Sequence, residues 1–183
     1  QVRTIELELK LGLRDCNPLR VSDALYAVLG RTIPGQKDLL QNIYFDHEGI
    51  LHRAGVAIRT RSVNGSHEMT VKIREPNDGG LSQRREWNFQ IEAPRLDYAH
   101  LGGLDLPASV VPLIRERSLG VAFQNAFERT DWYVKQNNCD VMMSLDLGSV
   151  QVNDRESQVS ELELELLSGD IEQLISLGCA LSE

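Results

Sequence analysis

Apolar and polar residues alternate with a period of two along much of this chain. From Ile5 to Leu11 the order is apolar, acid, apolar, acid, apolar, base, apolar. Because successive side chains of a β-strand leave opposite faces, this pattern predicts a strand with one apolar face and one polar face. The same alternation recurs in five later segments, residues 55–63, 67–75, 82–92, 139–147 and 157–167.

Turn-forming residues separate these strand segments. Asn64-Gly65 stands between two alternating runs and is typical of a tight β-hairpin. Comparable clusters occur later, at Asn77-Asp78-Gly79-Gly80, Asn137-Asn138 and Asn153-Asp154. Since consecutive strands joined by such short turns pair antiparallel, the sequence predicts an antiparallel sheet.

Helix signals are fewer than strand signals. Ser22 is predicted to cap a helix over residues 23–29. Further helices are expected over residues 107–118 and 171–181, whereas residues 36–47 are expected to form another strand. The whole pattern predicts about eight strands and three or four helices, which is a mainly β (α+β) fold.

The strand count fits a closed antiparallel β-barrel with a few helices packed outside. A barrel of about eight strands has room inside for side chains or one small ligand. If the polar faces look inward, the interior is a charged channel and the helices cover the apolar outer faces. For any single strand the opposite arrangement stays open, because half-buried antiparallel strands normally turn their polar face to water.

Composition limits the classes of partner. The chain has 183 residues, of which 42% are hydrophobic and 25% charged, and these values suit one globular domain. A net charge of -8 and an aromatic content of 5% argue against nucleic-acid binding. No stretch reaches the ~20 apolar residues of a membrane span, so no membrane partner is expected. Cys16, Cys139 and Cys179 lack metal-ligand or disulfide spacing, which is typical of a cytoplasmic protein. The oligomeric state is left open.

The first strand carries the motif Glu6-x-Glu8-x-Lys10. On a strand these three side chains leave the same face, about 6.5–7 Å apart. Two carboxylates placed in this way repel each other unless a cation lies between them. Carboxylate oxygens suit Mg²⁺ or Mn²⁺, and the lysine beyond them can meet an anion.

The last strand segment repeats this arrangement as Glu161-x-Glu163-x-Glu165. Three like charges lie on one face, along about 13 Å of strand. A merely solvated strand face would more often mix serine, threonine, lysine and glutamate. Asp146 has matching parity in its own strand and adds a further acid.

Basic residues are concentrated on the middle strands. Arginine forks match phosphate oxygens bidentately, and lysine acts as a compact point charge. Same-face or neighbouring positions hold Arg59, Arg61, Lys72, Arg84 and Arg129, while Arg74 has matching parity but no motif. A solvated surface gives no reason to place acids on the end strands and bases between them. The pattern therefore predicts a channel that grips successive phosphates and holds metal.

In their order along the chain these motifs resemble the CYTH superfamily, the triphosphate tunnel metalloenzymes. The matching positions are Glu6-x-Glu8-x-Lys10, Tyr44-Phe45-Asp46, Arg59-x-Arg61, Thr70-x-Lys72, Arg84-x-Glu86, Phe127-Glu128-Arg129, Asp146 and Glu161-x-Glu163-x-Glu165. The fold of that family is an eight-stranded antiparallel barrel around a charged tunnel, which agrees with the strand count above.

The resemblance implies a role for each matched position. The implied metal ligands, for Mg²⁺ or Mn²⁺, are Glu6, Glu8, Asp146, Glu161, Glu163 and Glu165. The implied triphosphate contacts are Lys10, Arg59, Arg61, Lys72, Arg84 and Arg129. The candidate catalytic residues are Glu6, Glu8, Lys10 and Glu163.

Within that superfamily the sequence looks most like bacterial inorganic triphosphatases. The resemblance implies metal-dependent hydrolysis of inorganic triphosphate to diphosphate and phosphate inside the tunnel. One alternative is an enzyme for an organic triphosphate, which would hydrolyse thiamine triphosphate or cyclise ATP. Another is a non-catalytic module that binds polyphosphate or nucleotide.

The same resemblance bears on domain organisation. Bacterial inorganic triphosphatases are often fused to a following helical, phosphate-associated CHAD domain. Residues 1–183 contain no such domain and are expected to form a single CYTH-like domain, either as a single-domain member or as a piece from which the CHAD domain was removed.

Overall fold

The computed structural model describes residues 2–12, 16–74, 82–136 and 138–181, with the backbone alone at residues 2–6, 82 and 83. The strands are β1 (Val2–Gly12), β2 (Gln36–Asp46), β3 (Val56–Val63), β4 (Ser66–Arg74), β5 (Ser82–Ile91), β6 (Gly120–Gln136), β7 (Cys139–Val152) and β8 (Arg155–Ser168). The helices of the described part are α1 (Pro18–Leu29), α2 (Ile50–Arg53), α3 (Tyr98–Gly102), α4 (Val111–Glu116) and α5 (Ile171–Leu181).

The eight strands form one closed antiparallel barrel in the order β1-β5-β4-β3-β2-β6-β7-β8. Strand β1 closes the barrel because it pairs with β5 on one side and with β8 on the other. In these ladders Glu6 lies opposite Arg84, and Lys10 lies opposite Glu163. The predicted fold, a mainly β protein built on a closed eight-stranded barrel, is confirmed.

The hairpin predicted at Asn64-Gly65 joins β3 to β4, where Val63 pairs with Ser66. Both turn residues have positive φ, 50° at Asn64 and 79° at Gly65, as a two-residue turn of the tight hairpin class requires. Asn153 makes the corresponding turn between β7 and β8, with φ 54°. The predicted turn at residues 77–80 lies outside the described residues, as does Asn137.

Helix α1 begins earlier than the sequence predicted. The side chain of Asn17 caps it by accepting a hydrogen bond from Arg20 N at 3.0 Å. Pro18 follows in the first turn, where a missing N–H has no cost. The predicted cap at Ser22 is therefore wrong, since Ser22 lies inside the helix.

Two short helices were not predicted, and a third is shorter than expected. α2 and α3 have four and five residues, which is too few for a helical hydrophobic period to be visible. α4 covers residues 111–116 of the predicted 107–118. The C-terminal helix α5 has the predicted bounds, residues 171–181.

The apolar faces of the strands look outward and lie beneath the helices. One core joins β3, β4 and β5 to α2, α3 and α4, and includes Met69 and Trp87. The other joins β6, β7 and β8 to α1 and α5, and includes Trp132, Leu164 and Leu174. Burial of each such side chain contributes about 1.5–3 kcal/mol. With both apolar cores outside, the polar faces line the interior.

Two other observations concern the chain as a whole. Among the residues that the structure describes, no helix is long and apolar enough to cross a membrane. Cys16, Cys139 and Cys179 are free thiols.

Candidate active site

The barrel encloses a cavity of about 370 Å³ that receives side chains from every strand. Its basic lining residues are Lys10, Arg59, Arg61, Lys72, Arg84 and Arg129. Its acidic lining residues are Glu8, Glu68, Glu86, Asp146, Glu161, Glu163 and Glu165. The structure thus brings together every predicted site residue except Glu6, whose side chain lies outside the described residues.

Two acids on the cavity wall had no predicted role. Glu68 stands two residues before Thr70, and Glu86 stands two residues after Arg84. Same-face spacing on a strand could have identified both, because residues i and i+2 share a face. Arg84-x-Glu86 is among the motifs quoted above, but no role was predicted for its acid.

Glu163 lies between two cations. Its Oε1 is 3.1 Å from Lys10 Nζ, and its Oε2 is 3.5 Å from Arg129 Nη2. Burial opposes ionisation of this carboxyl, but Lys10 and Arg129 outweigh it and lower the pKa of Glu163. Burial likewise opposes the charge of Lys10, yet Glu163 and Glu8 raise the pKa of the lysine. Glu163 is therefore an ionised carboxylate held in place on both sides.

Arg129 is bound tightly by the neighbouring strand. Its Nε and Nη2 donate to the two carboxylate oxygens of Asp146, each at 2.6 Å, in a bidentate pair. The two residues are directly opposite in the β6–β7 ladder. Burial would lower the pKa of Arg129, but the hydrogen bonds and charge of Asp146 outweigh it and raise the pKa. This pair leaves Arg129 largely neutralised.

A second hydrogen-bonded chain crosses β4 and β5. Thr70 Oγ1 donates to Asn88 Oδ1 at 2.7 Å, and Asn88 Nδ2 donates to Glu86 Oε1 at 2.7 Å. The other carboxylate oxygen of Glu86 is 3.1 Å from Lys72 Nζ. Asn88 therefore orients Glu86, and Glu86 in turn positions the lysine on the cavity wall.

Carboxylates crowd together where β1 meets β8. Glu8 and Glu165 are directly opposite in this ladder. Burial raises the pKa of Glu165, and the charges of Glu86, Glu8 and Glu163 raise it further, although Lys72 opposes them. Glu8 is buried, and its Oε1 is 3.4 Å from Arg84 Nη1. This wall holds more negative charge than its neighbouring bases compensate.

Positive charge is in excess on β3, where Arg59 and Arg61 share a face. Within the described ranges neither side chain has an ion-pair partner, and Arg59 Nε is buried without any hydrogen-bond acceptor. Burial and the nearby charges of Arg59 and Arg129 together lower the pKa of Arg61 to about 10. A buried donor without a partner and a cluster of repelling guanidinium groups both favour a bound anion.

Arg61 is oriented by an amide. Its Nε donates to Asn42 Oδ1 at 2.7 Å, and Asn42 Nδ2 donates to Asn125 Oδ1 at 2.6 Å. Asn42 is 1% exposed, so this arrangement is fixed inside the barrel. Neither Asn42 nor Asn125 was predicted as a site residue, because a lone asparagine on a strand carries no motif.

The carboxylate oxygens of the acidic wall are suitable ligands for a hard divalent cation. Within the described part of the chain, no group of three or more His, Cys, Asp or Glu side chains converges on one metal position. Glu8 and Glu165 nevertheless present facing carboxylates, and like charges directly opposite in a ladder are destabilising without a counter-charge. Carboxylate oxygens are the ligands that Mg²⁺ and Mn²⁺ prefer.

Sequence comparison gives two matches that cover most of this chain. The family model of the CYTH domain matches residues 5–181. An inorganic triphosphatase from Haemophilus influenzae is 27% identical over 175 residues, which is 92% of this chain and 47% of that protein. This chain therefore spans about half the length of that curated relative.

Solved structures share the fold. HpAC1 from Hippeastrum, an adenylyl cyclase candidate described with a dominant triphosphatase activity, has a TM-score of 0.60 and 20% identity. The match covers 94% of this chain and 83% of that chain. An adenylate cyclase candidate from Bacillus halodurans has a TM-score of 0.57 and 18% identity over 96% of this chain and 86% of its own. At these identities the likeness concerns the fold alone.

Proposed function

Because this chain belongs to the CYTH domain family, we propose that its cavity binds inorganic triphosphate and hydrolyses it to diphosphate and phosphate with Mg²⁺ or Mn²⁺. The observation that carries this proposal is the pair Arg59 and Arg61, two cations without acidic partners among the described residues of an enclosed cavity. A compact polyanion would satisfy both guanidinium groups. The H. influenzae relative, named an inorganic triphosphatase, supports the same substrate.

In this proposal triphosphate binds first on the side of the cavity where positive charge has no acidic partner. Arg59 offers a buried Nε–H that has no acceptor, and Arg61 offers the N–H groups that Asn42 does not engage. Lys72 lies on the neighbouring strand β4 and Lys10 lies across the cavity on β1, and each is 3.1 Å from a glutamate carboxylate. These lysines can exchange part of a carboxylate contact for a phosphate oxygen, so the four bases grip a linear anion at several points.

The proposed metal site lies on the other wall. Glu8 and Glu165 would hold the ion, and Glu6, Asp146, Glu161 and Glu163 are the further proposed ligands. When bound, a divalent ion neutralises charge on the phosphate oxygens. Carboxylate ligands and phosphate oxygens can then lie in one cavity without repelling each other.

The chemical step we propose is attack of a water oxygen on a terminal phosphorus atom. The bond from that phosphorus to the bridging oxygen breaks, and the electron pair leaves with diphosphate. Glu163 stays ionised between Lys10 and Arg129, so it can accept a hydrogen bond from the water and orient it. Its lowered pKa makes it a weak base, so the water proton stays on the attacking oxygen through the transition state and passes to solvent from the phosphate product afterwards.

The leaving group needs charge stabilisation where the bridging bond breaks. Arg59 and Arg61 supply fixed positive charge from the wall of the barrel interior, where charge is less screened than in bulk water. Because Asn42 fixes Arg61 before the ligand arrives, little reorganisation is needed during the reaction. Substrate binding and leaving-group stabilisation thus depend on the same two side chains.

A second candidate is an organic triphosphate. The cavity lining also includes the apolar side chains of Phe127, Val150 and Val159, together with Tyr44, whose ring stacks on Phe123 at 4.5 Å. An apolar wall of this kind can contact the organic group of ATP or thiamine triphosphate. This apolar wall supports the alternative, in which the triphosphate group of the organic substrate would bind at the same position.

Product analysis separates these functions. Purified protein with Mg²⁺ is incubated with inorganic triphosphate, ATP or thiamine triphosphate, and the products are identified by phosphorus NMR. We expect diphosphate and phosphate from inorganic triphosphate at the highest rate. Faster turnover of either organic substrate would favour the second candidate. Binding of triphosphate without any product would favour a non-catalytic module.

A further inference from the structure

Four side chains form a row across neighbouring strands on the inner face of the barrel. Asp131 on β6 is directly opposite Ser144 on β7, and Ser144 is directly opposite Glu163 on β8. Glu163 is in turn directly opposite Lys10 on β1. Ser144, Glu163 and Lys10 all line the cavity. Two members of this row, Asp131 and Ser144, have no role in the proposed function so far.

The hydroxyl group of Ser144 has its proton committed to Asp131. Ser144 Oγ donates to Asp131 Oδ1 at 2.5 Å, a distance typical of a hydroxyl that donates to a charged oxygen. The side chain of Ser144 is buried and has no other hydrogen bond among the described residues. A serine hydroxyl has one proton to donate and two lone pairs that accept. What Ser144 still offers to the cavity is therefore an acceptor.

The direction of this hydrogen bond decides which ligand Ser144 can contact. A phosphate oxygen needs a donor, and the only proton of the hydroxyl is already donated to Asp131. The lone pairs of Ser144 Oγ can instead accept from an O–H or N–H group, or contact a cation. In the proposed function the cavity holds an attacking water, and both O–H groups of that water need acceptors. Ser144 therefore fits the water and not the phosphate chain.

Glu163 supplies the other acceptor for this water. Residues directly opposite on one face of antiparallel strands have Cβ atoms about 4.5–5.5 Å apart, so one water can contact both side chains. Lys10 and Arg129 hold Glu163 at 3.1 and 3.5 Å, and Asp131 holds Ser144. Both acceptors are thus oriented before a ligand arrives. A water that donates one hydrogen to each has its lone pairs directed away from both of them, into the cavity.

We propose that Ser144 is the second hydrogen-bond acceptor for the attacking water, and that Asp131 is a positioning residue that orients its hydroxyl. This inference rests on the proposed function for the identity of the attacking group. The water oxygen bonds to the terminal phosphorus, the bond from that phosphorus to the bridging oxygen breaks, and the electron pair leaves with diphosphate. Ser144 takes no proton in this step. It directs a lone pair of the water at the phosphorus, and the phosphate product later releases the proton to solvent.

Steady-state release of phosphate from inorganic triphosphate with Mg²⁺ separates water orientation from substrate binding. Ser144→Ala removes the acceptor, so we expect kcat to fall about tenfold while KM stays within about twofold. Ser144→Thr keeps a hydroxyl group and should retain about a third or more of the wild-type kcat. Ser149→Ala is the matched control, because Ser149 lies on the same strand, faces outward and does not line the cavity. It should change neither constant.

Two substitutions of Asp131 separate its hydrogen bond to Ser144 from its charge. Asp131→Asn and Asp131→Ala remove the same negative charge, which also acts on Arg129, but the amide oxygen of asparagine can still accept from Ser144 Oγ. Alanine leaves the hydroxyl free to rotate. We therefore expect kcat to be about fivefold lower for Asp131→Ala than for Asp131→Asn, with similar KM values.

Thermal unfolding first establishes that each variant is folded at the assay temperature, and the Asp131 pair decides if Ser144→Ala is not. An unchanged kcat for Ser144→Ala would overturn the inference and leave the proposed triphosphatase intact. A raised KM with unchanged kcat would overturn it by assigning Ser144 to substrate binding. A raised Mg²⁺ requirement would overturn it by assigning the lone pair to the cation. Equal kcat values for the two Asp131 variants would remove the positioning role. No release by the wild-type protein would overturn the proposed function and this inference with it.

Discussion

Asn42 holds Arg61 through an amide oxygen, 2.7 Å from Arg61 Nε, at a place where a carboxylate would form an ion pair. The amide orients the guanidinium group and leaves its charge uncancelled. Arg129 shows the other arrangement, since Asp146 binds it bidentately and neutralises it. Under the proposed function, the difference between an amide and a carboxylate leaves Arg61 charged for an anion, whereas Arg129 is already paired.

Asn42→Asp should weaken triphosphate binding at least tenfold. The new carboxylate would pair with Arg61 and compete with the ligand, while the side-chain volume hardly changes. Asn42→Ala should weaken binding less, because it loosens Arg61 without neutralising it. Titration calorimetry at pH 8 measures both. Equal effects of the two variants would contradict a role for charge at this position.

Arg59→Met should stabilise the ligand-free protein by about 1 kcal/mol, because it removes an unpaired buried donor and a repulsive charge. The lowered pKa of Arg61, about 10, means that the repulsion is fully present below pH 10 and declines as pH rises through that value. Thermal unfolding at pH 7.5 should therefore show a Tm about 2–4 °C higher.

The same substitution should abolish the stabilisation that added triphosphate gives to the wild-type protein. Arg115→Met, on the exposed face of α4, is the control and should change neither quantity. A lower Tm for Arg59→Met without ligand would show that the guanidinium group is satisfied by the fold. An unchanged response to triphosphate would remove Arg59 from the binding site.

Glu165→Gln should raise the Mg²⁺ concentration needed for half-maximal phosphate release by about tenfold. The substitution removes one of the two facing carboxylates of the proposed metal site and leaves the shape of the side chain. Glu156→Gln is the control, because Glu156 is exposed near the start of the same strand. If the two variants have the same Mg²⁺ dependence, Glu165 is not a ligand.

The sequence predicted the barrel and its charged interior because both depend on the alternation of side chains between the two faces of each strand. Residues such as Arg59 and Glu163 lie inside because each alternates with apolar neighbours that the helices cover. Which acid meets which base depends on register between strands distant in sequence, as with Lys10 and Glu163. Alternation within one strand carries no information about that register.

Other features depend on local geometry that a pattern does not record. α2 forms because Asp46 accepts several backbone N–H groups, although four residues show no helical period. The cap of α1 is Asn17 and not Ser22, since Pro18 can occupy the first turn. Asn42 and Arg61 are 19 positions apart, and only the β2–β3 ladder places them side by side.

Gly148→Ala should destabilise the fold by about 1–3 kcal/mol. A Cβ at this position would collide with Ala126 O and come within 2.8 Å of Phe127 Cα, so β6 and β7 would have to separate. Gly12→Ala is the matched control, because its Cβ would have no neighbour within 4 Å among the described atoms. Urea denaturation compares the two. Equal stability would show that the β6–β7 ladder can shift without cost.

Phosphate release from inorganic triphosphate is the measurement that tests the central claim most directly. Wild-type protein, Arg59→Gln and Arg61→Gln are compared with Mg²⁺ and with a chelator. We predict release by the wild-type protein with Mg²⁺ alone, and a loss of at least tenfold in kcat/KM for each variant. Equal turnover by all three proteins, or undiminished release with the chelator, would contradict the account.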